Sequence, residues 1–243
     1  MDGVKEHIMQ DLQKQIISLR SFKPSVRGDV NIGWGSVDDA FPNKCFPLGA
    51  IHEFVNDHDD AVVASSGFIC AILSALIQKN RVAFWISSCR KIFPPALTFF
   101  NIEPDRIIFI DLKNEKEILW VLEESLKCDG LAAVVGEINE ISFTASRRLQ
   151  LATEQSRVTG FLLRHAHSKL NTIASVSRWR IDHFPTALEE GFPGVGFPCW
   201  NVELEKIRNG KPGKWQLEWS AGKFRHIASL HDQLLEDEKR KTG

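Results

Sequence analysis

AIHEFVNDHDDAVVASSGFICAILSALI, residues 50–77, reads as a short apolar strand, an acidic turn and a long helix in immediate succession. Residues 50–55 are mostly apolar. Residues 61–77 are apolar on nearly every face, the pattern of a helix buried all round rather than of an amphipathic surface helix. The same alternation continues downstream. Residues 82–86 predict a continuous apolar strand, 94–100 a helical segment, 107–110 a strand, and 115–127 a helix with Ile118, Leu119, Leu122 and Leu126 on one face. Residues 131–135, 143–157 and 160–163 add a strand, a helix and a strand. Strands without polar alternation, separated by helix-length segments, are covered on both faces, which predicts an α/β fold with a mostly parallel sheet flanked by helices.

Beyond residue 164 the period changes to two. Residues 173–181, 200–207 and 215–219 alternate, and Gly210-Lys211-Pro212-Gly213 supplies the turn between the last two, so antiparallel strands should extend the sheet toward the C-terminus. Trp200, Val202 and Leu204 share one face, and Trp215, Leu217 and Trp219 add apolar area to the same layer. Upstream, residues 28–49 are rich in Gly, Pro and Asn and read as a lead-in loop, with one helical turn at 36–41 that Ser36 can cap. Val4, Ile8, Leu12, Ile16 and Leu19 stand at helical spacing, an amphipathic arm that ends before Lys23-Pro24. The run from His231 onward is polar and reads as a fraying tail. The expected organisation is an arm (1–27), an α/β domain (28–228) and a tail (229–243).

Composition narrows the function. With 43% hydrophobic and 25% charged residues over 243 positions the chain can bury a core, and 30 bases against 31 acids exclude a globally basic nucleic-acid binder. Cysteines at 45, 70, 89, 128 and 199 contain no C-x-x-C pair, so neither a disulfide framework nor a zinc site is indicated and a reducing, cytoplasmic compartment is expected. The first ten residues carry Asp2, Lys5, Glu6 and His7, and no stretch reaches the ~18 uninterrupted apolar residues of a spanning helix. No membrane partner is expected.

In a parallel α/β sheet, ligands sit at the carboxyl ends of the strands, so a phosphate cradle belongs in the turn after the first core strand. That turn is Asn56-Asp57-His58-Asp59-Asp60. A P-loop needs glycines to bring backbone amides onto phosphate, a lysine to neutralise it and a hydroxyl to hold magnesium; this turn has none of them. Residues 53–60 carry Glu53, Asp57, Asp59 and Asp60 without a base, and like charge repels triphosphate. Glu137, ending the 131–135 strand, stands where an NTPase places its magnesium-reaching acid; the plainer readings are a loop cap or a partner for a nearby arginine.

The run FPLGAIHEF (46–54) entering an apolar helix resembles the lead-in of RecA-like proteins. In finer detail, ILWVLEESLKCDGLAAVVGEI (118–138), SRRLQLATEQS (146–156) and the hairpin WNVELEKIRNGKPGKWQLEW (200–219) make the chain similar to the ImuA family over roughly residues 30–225. These are RecA-related accessory proteins of bacterial error-prone translesion synthesis with a degenerate P-loop. The phosphate-binding glycine, lysine and threonine of RecA fall near residues 56–63, where none of those types stands. The resemblance therefore implies a RecA-like fold and a non-enzymatic adaptor of the SOS response without cofactor. Its implied partners are an inactive Y-family polymerase homologue (ImuB-like), an alternative replicative-type polymerase subunit and RecA. Two other functions stand beside it: a SulA-like inhibitor of the division protein FtsZ, and a live RecA-type ATPase with an unusual turn.

Charge is unevenly spread. Residues 101–140 carry ten acids against four bases, and residues 147–180 seven bases against one acid. Arg147, Arg148, Arg164, Lys169, Arg178 and Arg180 are thus candidate DNA-phosphate contacts or partner contacts, the alternative being a solvated helix face and strand edge. His165 and His167 lie at period two and His58 sits among aspartates, but neither set has a third ligand at metal spacing. Gly191, Gly194 and Gly196 follow no strand, and neither they nor Gly33-Trp34-Gly35 form a dinucleotide fingerprint. Cys89 beside Arg90 is the best placed thiol for reactivity, with no histidine near in sequence to serve it.

Overall fold

A computed structural model describes residues 32–77, 81–165, 170–186 and 196–227. The expected arm, the tail and Lys169 lie outside the described residues. The strands are β1 (Ile51–Asn56), β2 (Ala83–Ser87), β3 (Ile107–Asp111), β4 (Ala133–Glu137), β5 (Thr159–His165), β6 (Ser177–His183), β7 (Cys199–Ile207), β8 (Gly213–Ser220) and β9 (Lys223–His226). They form one sheet in the order β3-β2-β4-β5-β1-β6-β7-β8-β9. The neighbours from β3 to β6 are parallel, and β6 to β9 antiparallel.

Three helices cross between the parallel strands: α1 (Asp59–Leu76), α2 (Glu115–Leu126) and α3 (Phe143–Ser156). They divide between the two faces by the period-two rule of a strand. Phe68 of α1 packs on Phe54 and Trp179, whereas α2 and α3 bury Ile118, Leu122, Leu126 and Leu149 against Ile51, Ile86, Val134 and Leu162. Caps follow local chemistry: Asn114 accepts from the Lys116 amide and Ser142 from the Ala145 amide, each satisfying an orphan donor of the first turn. By length and composition α1 could cross a bilayer, but two thirds of it is buried inside this fold. Gly136 lets α2 approach β4, since an added Cβ there would lie 2.9 Å from Leu122.

The segment expected to be helical over 94–100 is a 3-10 helix opened by two prolines. Two expectations change. The turn at Gly35–Ala40 is likewise 3-10 and has no side-chain cap; Ser36 instead hydrogen-bonds His226 of β9, a strand the sequence did not reveal. The region read as one alternating strand over 173–181 begins its strand only at Ser177, and β6 pairs parallel with β1 as well as antiparallel with β7. Residues 173–176 are continuously buried: Ile173 packs into the cluster beneath α2 and α3, the Ala174 amide donates to Ser146 Oγ at 2.9 Å, and the Val176 amide donates to Ile51 O at 2.8 Å.

The lead-in is part of the core. Trp34 lies among the rings of Phe41, Phe46, Phe68, Trp179 and Phe224 at centroid distances of 5.3–5.7 Å. His52 of β1 stacks on Phe46 at 4.2 Å and is fully buried. Pro47 O can only accept, so His52 Nε2–H donates to it at 2.8 Å, and Nδ1 accepts from the Ser177 hydroxyl at 2.6 Å. Burial pushes the imidazole pKa down to about 3.

The folded value lies below the unfolded one, so on acidification the unfolded chain takes up the proton first. The stability associated with neutral His52 is therefore complete above about pH 6.5 and is lost below it at up to ~1.4 kcal/mol per pH unit. Urea unfolding between pH 7 and pH 5 should show this slope, and His52→Gln should flatten it relative to the parent whatever its absolute stability. Equal slopes would mean that His52 does not carry the acid sensitivity.

Candidate functional site at the carboxyl ends of the strands

The turn from β1 into α1 is closed by its own side chains. Asn56, buried at the end of β1, donates to Arg164 O at 3.2 Å and accepts from Ser65 Oγ of α1 at 2.6 Å. One amide thus ties β1, β5 and α1 together. Asp57 turns to the opposite face of the sheet and pairs with Arg180 of β6, whose Nε also donates to Glu205 of β7 at 3.0 Å. Asp59 pairs with Lys91 at 2.9 Å. Asp59 and Asp60 occupy the first turn of α1, where their charge complements the positive end of the helix dipole. No residue of the turn has positive φ, so the nest of converging amides that holds phosphate is not formed.

Glu53, read in the sequence as one of four repelling carboxylates, is fully buried beneath a cage of cations. Its Oε1 accepts from Arg164 at 2.5 Å and its Oε2 from Arg178 Nε at 2.8 Å; the side chains of Glu53 and Arg164 are 0% and 3% exposed. Ser175 Oγ lies 3.5 Å from Oε2. Arg164 Nη2 donates to Asn171 Oδ1 at 2.7 Å, and the Asn171 amide donates to Ile141 O at 2.7 Å. Parallel pairing makes this possible, because Glu53 and Arg178 are register partners. In a low-dielectric site each remaining oxygen and N–H must be satisfied for such a pair to hold, and most of them are.

The six candidate phosphate contacts therefore separate. Arg164, Arg178 and Arg180 lie together near β1 and are engaged by Glu53, Asp57 and Glu205. Arg148 on α3 pairs with Glu123 of α2 at 3.0 Å, and Arg147 is exposed on α3. The sequence displayed the acidic run at 53–60 and the basic one at 147–180 but not that Glu53 and Asp57 meet Arg164, Arg178 and Arg180; the only local signal was a carboxylate in a strand with Ile51, Phe54 and Val55.

Glu137 takes neither of the partners the sequence suggested. It is buried at the end of β4 and accepts from Trp85 Nε1 at 2.8 Å. Burial raises its pKa, partly opposed by the indole hydrogen bond. Arg90, beside Cys89, pairs with Asp111 at 2.6 Å and stacks on Phe109. Among the described residues no group of three or more His, Cys, Asp or Glu side chains is arranged to hold a metal ion.

A central parallel sheet continued by an antiparallel hairpin, with its candidate ligand turn after the middle strand β1, defines a RecA-like α/β protein. No family model matches the chain. Protein ImuA of Caulobacter vibrioides, from strain NA1000 / CB15N and from strain ATCC 19089 / CIP 103742 / CB 15, is 33% identical over 220 residues, covering 85% of this chain and 90% of its own. At that identity and coverage, the chain belongs to the ImuA family.

Proposed function

We propose that the chain is a non-catalytic RecA-like adaptor of SOS-induced, error-prone translesion DNA synthesis. It works through contacts with an inactive Y-family polymerase homologue, an alternative replicative-type polymerase subunit and RecA. The observation that carries this reading is the closed turn: Asn56–Ser65, Asp57–Arg180 and Asp59–Lys91 fill, with internal bonds, the region where a P-loop would present amides, lysine and hydroxyl. A degenerate P-loop of this kind offers triphosphate neither converging donors nor a neutralising cation, and phosphoryl transfer relies on both. Family membership supplies the mutagenic context.

Titration calorimetry with magnesium and ATP should show no binding heat and no turnover, and Glu137→Gln should support damage-induced mutagenesis as well as the parent does. Turnover abolished by Glu137→Gln would replace the adaptor with an ATPase. DNA contact, the second element of the proposal, is assigned to Arg147, Arg148 and Lys169: Arg164, Arg178 and Arg180 are mostly buried against Glu53, Asp57 and Glu205, whereas Arg148, though paired with Glu123, keeps a solvent-exposed side chain. Gel-shift titration over a salt series should then give a shallow slope, each lost phosphate contact lowering it by about one; no shift even at low salt removes DNA from the proposal.

A further inference from the structure

The sheet has two edges, and they are built differently. β9 sets the exposed bases Lys223 and Arg225 along its length, a device that keeps a sheet edge from pairing with another chain. β3, at the opposite edge, has no such protection. Its sequence is Ile-Ile-Phe-Ile-Asp, without lysine, proline or bulge, and Ile108 is 44% exposed. Its one charge, Asp111 at the last position, is paired with Arg90 at 2.6 Å. Among the described residues only β2 pairs with this strand.

The ladder fixes which backbone groups of β3 are left over. The Leu112 amide donates to Ser87 O of β2 at 2.9 Å, and successive residues of a strand bond to opposite sides. Ile108 and Ile110 therefore bond inward, while Ile107, Phe109 and Asp111 turn their N–H and C=O outward. Of these, the Ile107 amide is taken by Pro104 O. Two β3 strands laid antiparallel about a two-fold axis at Phe109 use what remains. The two Phe109 residues exchange both bonds, and each Asp111 amide donates to Ile107 O of the other copy. Ile108 then lies opposite Ile110, an apolar cross-strand pair that covers the exposed side chain.

We propose that β3 binds a second copy of this chain, edge to edge and antiparallel, so that one sheet runs through both protomers. Charge selects the register. Asp105, just ahead of the strand, and Lys113, just beyond it, are exposed and have no ion-pair partner among the described residues. A two-fold axis at Phe109 brings each Asp105 alongside Lys113 of the other copy. Slipping the strands by two residues, the smallest step that keeps outward-bonding residues opposed, sets Asp105 against Asp111 or Glu115 instead, and like charges repel. The same contact is made twice, as an isologous dimer requires. Main-chain bonds rather than buried area hold such an edge, so association is weak, with a dissociation constant on the order of 10–100 μM. A dimer of this kind is independent of the adaptor reading: ATP binding tests one and molecular mass the other.

Sedimentation equilibrium of the full chain from about 1 to 500 μM brackets that range. The weight-average mass should rise from 27.5 kDa toward twice that value. Ile108→Lys, at an exposed position, gives β3 the protection that β9 already carries and should weaken association roughly tenfold or more with the thermal midpoint unchanged. Asp105→Lys and Lys113→Glu should each weaken it about threefold or more, and the two together should restore it, which a general loss of structure does not do. Leu151→Ser, exposed on α3, should leave association unchanged. A mass that stays at the monomer value throughout, leaving the β3 edge to a strand of another protein, overturns the proposal. So does association that survives Ile108→Lys, or a double charge variant as weak as its parents.

Discussion

Replacing Glu53 by alanine should destabilise the chain by about 3–5 kcal/mol, a large part of the total stability of a typical domain. The cost comes from what is left behind. Arg164 is almost fully buried and directs its guanidinium charge, through Nη1, at Glu53 Oε1. Removing the carboxylate strands that charge in the interior. Arg178→Ala should cost less, because its side chain is 20% exposed and Glu53 keeps Arg164. Replacing Glu53, Arg164 and Arg178 together by apolar residues of similar volume should recover most of the loss, since desolvation of a buried ion pair offsets much of its attraction. Denaturant midpoints of the three variants decide the matter; a Glu53→Ala cost below about 1 kcal/mol would mean that water reaches the cage.

Trp34→Ala should be comparably damaging, at about 3–5 kcal/mol by the usual cost of emptying a buried aromatic site. Five rings close around this side chain, and its backbone carbonyl also receives His226 Nε2 at 2.8 Å, so the cavity would open where the lead-in meets β9. Trp34→Phe should cost much less. The indole N–H has no acceptor among the described residues, so exchanging the ring loses volume but no hydrogen bond. Equal midpoints for the alanine variant and the parent would show that residues 32–49 can leave the core without cost.

These two sites mark the limit of what the chain reveals unfolded. Uninterrupted apolar runs such as Leu131–Val135 and the spacing of Ile118, Leu122 and Leu126 report local burial directly, and the parallel sheet and its helices follow from them. The Gly210-Lys211-Pro212-Gly213 turn announced the β7–β8 hairpin. Trp34 was hidden because its neighbours, glycines on both sides, signal a loop while its own partners lie as far away as Phe224. The cage was hidden for the same reason: Glu53 meets Arg164 and Arg178 across more than a hundred residues, and periodicity carries no record of such a meeting. β6 was half legible, since its alternation predicted an antiparallel partner but not the parallel pairing with β1.

The cage also orders events in time during synthesis. Glu53 and Asp57 leave the ribosome more than a hundred residues ahead of the guanidiniums that neutralise them, and their strand is the middle one of the whole sheet. A nascent chain ending before residue 164 has an uncompensated acid at its centre, so the N-terminal half cannot set its architecture first and wait. The last third of the polypeptide completes the first core strand, and maturation is a single late, cooperative event.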